Sequence, residues 1–332
     1  MSGFALRLQR IWYDGAPVPF WLSMLVPVYR ALRALDLAMY RSGIRKSVRV
    51  DAPVIVIGNL TAGGSGKTPL AIALVEALRA RGFKPAIVSR GYGGSQCTAS
   101  VLDDTPDPRR YGDEPSLMRR RTGALVAVGR NRAEAAALLV RDGANIVIAD
   151  DGLQNPSLAR DIEICVIDGQ RRFGNEHLLP AGPLREPLAR LASIDFRVCN
   201  GARAEPGEIA MRLDGEMAVA VAGATRARPL SSFARQRVHG VAAIGNPARF
   251  FAGLQARGIE VIPHPFPDHH AFAACDIQFG DGLPVLMTEK DAIKCVGFAG
   301  EDVWCVPVSA ELPSTFIDAL IERLRAHRTP AR

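Results

Sequence analysis

The chain has 332 residues, 48% of them hydrophobic and 23% charged, with 31 glycines and 23 prolines. That composition excludes a disordered, collagen-like or coiled-coil chain, and the length leaves room for two globular domains. The formal net charge is +7 with a pI near 9.3, but only 6% of residues are aromatic, which weakens any platform for stacking bases, so no nucleic-acid partner is expected.

The first fifty residues carry Arg7, Arg10, Arg30, Arg33, Arg41, Arg45, Lys46 and Arg49 against Asp14 and Asp36, so nearly the whole positive excess sits there. Met1–Asp14 lacks the apolar region of a signal peptide. The uncharged stretch Gly15–Tyr29 is broken by Pro17, Pro19 and Pro27 and falls short of the ~20 residues that span a bilayer. Beyond it Leu22, Val26, Tyr29, Leu32 and Leu35 recur at helical spacing with Arg30, Arg33 and Asp36 on other faces, predicting an amphipathic helix. An apolar stripe flanked by cations suits an anionic membrane surface; the plainer alternative is a helix packed on the domain body.

After Asp51 the apolar runs 54–57, 86–88, 125–128, 146–149, 162–167 and 196–199 alternate with the helical stretches 67–81, 113–121 and 130–142. Short apolar runs between helices predict a buried, mostly parallel sheet. The pattern turns irregular over 201–237, read as a boundary or an inserted hairpin. A second α/β set follows: strands at 238–244, 259–262, 285–287 and 303–308, with helices at 247–257 and 314–325. The expected organisation is therefore an N-terminal helical segment (1–50), a core (51–215) and a smaller C-terminal α/β domain (216–332) that closes over the site. Six cysteines (Cys97, Cys165, Cys199, Cys275, Cys295 and Cys305) form no close pair, which disfavours a disulfide framework or a zinc site.

Directly after the first strand comes Thr61-Ala-Gly-Gly-Ser-Gly-Lys-Thr68, a phosphate loop with Thr61 in place of the first glycine. Gly63, Gly64 and Gly66 let backbone amides approach phosphate oxygens, Lys67 reaches the β- and γ-phosphates, and Thr68 is placed to hold Mg²⁺. The segment Thr61 to Thr68, including Ala62 and Ser65, is thus the expected nucleotide cradle. Ile146-Val-Ile-Ala-Asp150-Asp151 is an apolar strand ending in two carboxylates, one of them expected to face the metal. Asp168, ending the next strand, reads as a turn-forming residue. Ala62 stands where membrane-positioning ATPases carry a signature lysine, and Thr288-Glu-Lys-Asp291 comes close to a guanine-reading motif but has Glu289 in the lysine position. ATP is therefore the expected nucleotide.

A kinase also needs a group to receive or orient the acceptor proton. Asp113, in Gly112-Asp-Glu-Pro115, is one candidate, with a helix N-cap as the alternative. The Asp268-His269-His270 run is another.

Together these segments resemble the tetraacyldisaccharide 4′-kinase family of lipid A biosynthesis. The resemblance rests on Val56-Ile-Gly-Asn-Leu-Thr-Ala-Gly-Gly-Ser-Gly-Lys-Thr-Pro69, Ser89-Arg-Gly-Tyr-Gly-Gly94, Gly112-Asp-Glu-Pro115, Asp150-Asp-Gly-Leu-Gln154 and Arg171-Arg-Phe-Gly-Asn175. It continues through Leu179-Pro-Ala-Gly-Pro-Leu-Arg-Glu186, Gly245-Asn-Pro247, Phe266-Pro-Asp-His269 and Thr288-Glu-Lys-Asp291, in order across nearly the whole chain. It implies a phosphate-loop fold and Mg²⁺-dependent transfer of the γ-phosphate of ATP to the 4′-hydroxyl of tetraacyldisaccharide 1-phosphate, giving lipid IVA. It further implies that Asp113 and His269 form a catalytic pair, that Lys67 and Asp151 assist transfer, and that Thr68, Asp150, Asp151 and Glu186 surround the metal. Asn155 departs from the histidine that the family commonly places there. A lipid acceptor gives the N-terminal helix a purpose, as a peripheral anchor on the cytoplasmic face of the inner membrane. No obligate protein partner is expected. The competing expectation is a membrane-associated regulatory or assembly ATPase of the phosphate-loop class.

Overall fold

The computed structural model describes residues 3–201, 203–223 and 226–328; positions 1–2, 202, 224–225 and 329–332 of the expected segments lie outside the described residues. Two helices come first, α1 (Gly3–Tyr13) and α2 (Phe20–Arg41). The first lobe then runs β1 (Val54–Gly58), α3 (Lys67–Arg79), β2 (Pro85–Ser89), β3 (Ser100–Val101), α4 (Pro108–Tyr111), α5 (Asp113–Thr122), β4 (Val126–Val128), α6 (Arg132–Arg141), β5 (Ile146–Ala149), β6 (Ile162–Asp168), β7 (Phe196–Asn200) and β8 (Ile209–Asp214). The second lobe runs β9 (Met217–Ala220), β10 (Ala227–Pro229), β11 (Arg237–Ala242), α7 (Pro247–Gln255), β12 (Glu260–Pro265), β13 (Val285–Thr288), α8 (Glu289–Cys295) and β14 (Val303–Val306). The chain ends in β15 (Ser309–Glu311) and α9 (Ser314–Arg328).

The first sheet has nine strands in the order β15-β8-β7-β6-β1-β5-β2-β4-β3. All neighbours are parallel except at the two edges, where β15 and β3 run antiparallel. Its central strands β1 and β5 carry no polar side chain and are buried at every position, because both faces are covered. Ile55 and Ile57 of β1 pack with Leu70 and Leu74 of α3 and Phe316 and Leu320 of α9. Val54 and Val56 point the other way, onto Ala136 and Leu139 of α6.

The second sheet has six strands in the order β10-β9-β14-β13-β11-β12, with α7 residue Leu254 packed on one face and α8 residues Ala292 and Cys295 on the other. The C-terminal division at 216–332 differs from this arrangement at its end. β15 pairs with β8, and α9 buries Phe316, Leu320 and Leu324 in the first core, so the second lobe is inserted between β8 and β15. The irregular stretch 201–237 resolves into β8, parallel to β7, and the β9–β10 antiparallel pair.

The orientation of α2 also departs from expectation. Leu22, Val26, Tyr29, Arg33, Asp36 and Tyr40, spaced alternately by four and three, turn toward the protein, while Phe20, Trp21, Met24, Leu25, Val28, Leu32 and Leu35 are exposed. Leu32 is 62% exposed and Leu22 only 2%. The expected stripe therefore splits between two faces, because Tyr29 and Arg33 find hydrogen-bond acceptors on the body that a leucine cannot use. Among the described residues no helix is long and apolar enough to cross a membrane.

Candidate active site

Strands β6, β1 and β5 are neighbours, so the loops leaving β1 and β5 lie side by side at the carboxyl ends of the strands, where open α/β sheets bind ligands. The two lobes enclose a cleft of about 1240 Å³ there. Gly63 to Thr68 line it, and α3 begins directly at Lys67. Gly66 holds φ +97, and a Cβ on it would stand 2.3 Å from the Asn200 amide nitrogen, so both conformation and space demand glycine. Thr61 and Ala62 do not join this cradle. Thr61 bridges to Leu184, and the Ala62 N–H donates to the Pro183 carbonyl at 2.7 Å, so that amide is committed to the 179–186 loop rather than free for phosphate.

Lys67 donates to Asn59 Oδ1 at 3.1 Å and lies 3.3 Å from Asp151 Oδ1. The two acids after β5 sit in different environments. Asp150 is buried, with Oδ2 facing the Ser89 hydroxyl at 3.5 Å and Oδ1 without a partner. Burial, followed by the charges of Glu114 and Asp151, pushes its carboxyl up to about 7. Burial also acts to raise Asp151, but Lys67 and Arg185 outweigh it and hold that carboxyl below the ordinary range. Arg185 donates to both Asp151 oxygens at 3.2 Å. Buried Arg132 adds positive charge beneath them, donating to the Asp151 carbonyl at 3.2 Å.

An unpaired carboxylate oxygen among other acids, beside a threonine at a phosphate loop, fits a divalent cation. Mg²⁺ is commonly held by one or two carboxylates with water and phosphate completing its shell. Among the described residues no cluster of three or more His, Cys, Asp or Glu side chains suits a metal. Glu186 departs from its expected place near the metal: it pairs with Arg33 at 3.5 Å and Arg190 at 3.3 Å, and it does not line the cleft.

The opposite wall comes from α5 and the second lobe. Gly112 occupies the cap position, leaving Asp113 as the first helical residue with its side chain free for other contacts. His269 Nδ1 stands 3.1 Å from Asp113 Oδ2, and the edge of the Tyr92 ring packs on the imidazole. His269 has φ +61, an unusual conformation for a non-glycine residue, which turns its ring into the cleft mouth. Its neighbour His270 instead pairs with Asp276 at 3.1 Å and stacks on Phe266. Burial acts to raise Asp113, but the hydrogen bond from His269 and the charge of Lys294 at 3.5 Å prevail and lower it. Asp168 caps its own turn, accepting from the Gln170 and Arg171 amides.

Several cleft residues escaped the sequence reading. Glu114, adjacent to Asp113, pairs with Lys290 at 3.0 Å. Burial raises Glu114, and Lys290 and Lys67 more than offset it. The Thr288-Glu-Lys-Asp291 segment is thereby explained: Thr288 caps α8, Asp291 accepts from the Ala243 amide, and Glu289 and Lys290 reach back to Arg121 and Glu114 of the first lobe. Asn200 clamps the loop from a third side, donating to the Ser65 carbonyl at 2.9 Å and accepting from Arg249 at 3.1 Å. The signals were a glutamate beside a candidate base and a lysine inside a repurposed motif; neither has a spacing that marks it.

A phosphate loop, an orphaned carboxylate beside it, and an Asp–His pair assembled from two lobes define a nucleotide-dependent phosphotransferase of the phosphate-loop class. Comparison with known proteins narrows this class. Residues 18–325 match the family described as Tetraacyldisaccharide-1-P 4'-kinase. The tetraacyldisaccharide 4′-kinase of Xanthomonas euvesicatoria is 52% identical over 338 residues, covering 98% of this chain and 97% of that one. The same enzyme of Stenotrophomonas maltophilia is 49% identical over 335 residues, covering 98% of each. Among solved structures, the "apo" form of LpxK from Aquifex aeolicus in complex with ATP superposes with a TM-score of 0.75 at 27% identity, over 91% of this chain and 98% of that one. The chain belongs to the tetraacyldisaccharide 4′-kinase family.

Proposed function

We propose that the protein transfers the γ-phosphate of ATP to the 4′-hydroxyl of tetraacyldisaccharide 1-phosphate, forming lipid IVA, while seated peripherally on the cytoplasmic face of the inner membrane. One observation carries the choice of a lipid acceptor: α2 exposes Phe20, Trp21, Met24, Leu25, Val28 and Leu32 on its outer face while its inner residues Tyr29, Arg33, Asp36 and Tyr40 line the same cleft as the phosphate loop. A contiguous exposed apolar face of this kind on an interfacial helix, with Arg30, Arg41 and Arg45 nearby, suits insertion into an anionic bilayer. It would bring the headgroup of an embedded lipid to the cleft mouth.

In this reading the amides of Gly63 to Thr68 and the Lys67 ammonium bind the β- and γ-phosphates. Asp150, Asp151 and Thr68 would hold Mg²⁺, with Asp150 Oδ1 as the free oxygen, and the ion would supply neutralisation of the charge that develops during transfer. Asp113 accepts the proton of the 4′-hydroxyl, and His269 Nδ1–H donates to Asp113 Oδ2 and fixes its direction. A carboxylate held at low pKa is a weak base. That is sufficient where the transition state is loose and the proton departs late, so position matters more than basicity. Glu114 and Lys290 keep the lobes in register across the cleft.

The test is transfer of label from γ-labelled ATP into extracted lipid. Label in a more highly phosphorylated lipid is expected. Release of inorganic phosphate alone, stimulated by plain anionic liposomes, would instead favour a regulatory ATPase.

A further inference from the structure

Helix α2 is bonded to the catalytic machinery through its inner face. The Tyr29 hydroxyl donates to the Arg185 carbonyl at 2.8 Å. Arg33 donates to the Gln154 carbonyl at 3.4 Å and lies 3.5 Å from Glu186. Both contacts fall on the segments that hold Asp151. Arg185 donates to the Asp151 carboxylate at 3.2 Å, and Asp151 lies 3.3 Å from the Lys67 ammonium. The Arg185 amide also donates to the Leu60 carbonyl at 2.6 Å, and the Gln154 side chain donates to the Asn59 carbonyl at 3.1 Å, at the root of the phosphate loop. Asp151 keeps φ +48, a left-handed conformation that persists in a non-glycine residue only when its surroundings impose it.

The seat of α2 is weakly held. Of its side chains only Leu22 is buried, in a small cluster with Ile11 and Ala181, whereas its outer face leaves large apolar side chains in water. An element with so few buried apolar contacts opens locally at low free energy. A bilayer that takes up the outer face directs the polar inner face at the body, so insertion favours the seated arrangement and shifts the population toward it.

We propose that Tyr29 and Arg33 are positioning residues that tie the seating of α2 to the placement of Arg185, Asp151 and Lys67, so that engagement of a lipid surface raises the turnover of the enzyme and does not merely deliver substrate. This rests on the kinase reading above and adds to it a link between membrane and chemistry.

The test uses the full chain, MgATP and a short-chain disaccharide 1-phosphate acceptor that stays in solution, with and without vesicles of phosphatidylethanolamine and phosphatidylglycerol. Because the acceptor is not in the vesicles, any stimulation comes from the protein. For the wild type, vesicles are expected to raise kcat by about fivefold or more, the equivalent of one net hydrogen bond of about 1 kcal/mol. In Tyr29→Phe the stimulation is expected to fall below about twofold, with vesicle sedimentation and the KM for ATP unchanged. Arg33→Gln should behave alike and guards against a fault peculiar to one variant. Equal stimulation in wild type and both variants, or a wild type indifferent to vesicles, overturns the proposal. A wild type that phosphorylates no acceptor under any condition overturns the kinase reading and this proposal with it, and is distinguished by the absence of basal turnover.

Discussion

Replacing Asp150 by asparagine is expected to stabilise the metal-free protein at pH 8 while abolishing its activity. The carboxyl is buried, has one oxygen without a partner, and titrates at about 7 because burial and the charges of Glu114 and Asp151 oppose its ionisation. A folded-state pKa above the unfolded value means that the native protein binds this proton more tightly. Its contribution therefore falls as pH rises from about 4 to about 7 and stays unfavourable above that. At about 1.36 kcal/mol per pH unit, the ionised carboxylate costs the folded state about 4 kcal/mol at pH 8. The asparagine NH2 placed at the unpartnered position finds no acceptor there and returns about 1–3 kcal/mol of that gain as an unsatisfied group. A net stabilisation of about 1–3 kcal/mol follows. Chemical denaturation in the presence of a chelator, at pH 5 and pH 8, measures it: the variant should exceed the wild type at pH 8 and lose most of that advantage at pH 5, where Asp150 is already protonated. Excess Mg²⁺ should restore the wild type alone, since metal and proton compete for the same oxygen. A variant less stable than wild type at pH 8, or a difference independent of pH, would refute the assignment of Asp150 as the unpaired acid.

Asp113→Asn and His269→Ala should each lower kcat, the first by about 10²–10⁴-fold, with ATP affinity within about twofold, as expected for groups acting on the acceptor; a matching rise in the ATP Kd would place them in nucleotide binding instead. Because Asp113 is held below the ordinary carboxylate range, its ionisation should not limit the pH–rate profile above about pH 5. Gly245→Ala would set a Cβ 2.8 Å from the Gly64 amide nitrogen, backbone against backbone. Such overpacking typically costs about 1–3 kcal/mol, so a fall in kcat/KM for ATP of about 5–150-fold is expected if it props the lobes apart, and unchanged kinetics would show that the lobes need not meet there. Trp21→Glu combined with Leu25→Glu should abolish sedimentation with anionic liposomes and leave thermal stability nearly unchanged, both residues being exposed; retained sedimentation would move the membrane surface elsewhere.

The central sheet was legible because burial on both faces makes β1 and β5 continuous apolar runs and leaves Glu163 as the one charge inside β6 ahead of its final residue, Asp168, and the phosphate loop because its chemistry fixes residue types at fixed spacing. The edge of each sheet was less so. β8 mixes Arg212 and Asp214 with apolar residues, β9 and β10 are only four and three residues long, and nothing local in 309–328 says that β15 and α9 return to the first sheet. The face of α2 was misread for a related reason. Apolar residues surround that helix, so periodicity alone does not choose which leucines face the body; Tyr29 and Arg33 decide it through partners far away in sequence. At the site, Asp113 and His269 lie 156 positions apart, and their juxtaposition was available only through resemblance. Glu114 and Lys290, 176 positions apart, make a more distant pair still, and no motif announced it. Conversely Ala62, inside the motif, has its amide engaged by Pro183, a tertiary contact that the loop pattern does not encode.

The most direct measurement is the chemical identity of the product. Incubating the protein with MgATP and tetraacyldisaccharide 1-phosphate, and examining the recovered lipid by mass spectrometry and phosphorus NMR, should show one added phosphate monoester attached at the 4′ carbon, with its formation lost in Asp113→Asn. Consumption of ATP with the lipid unchanged, or phosphate attached at another position, would contradict the assignment of this cleft as a lipid 4′-kinase site.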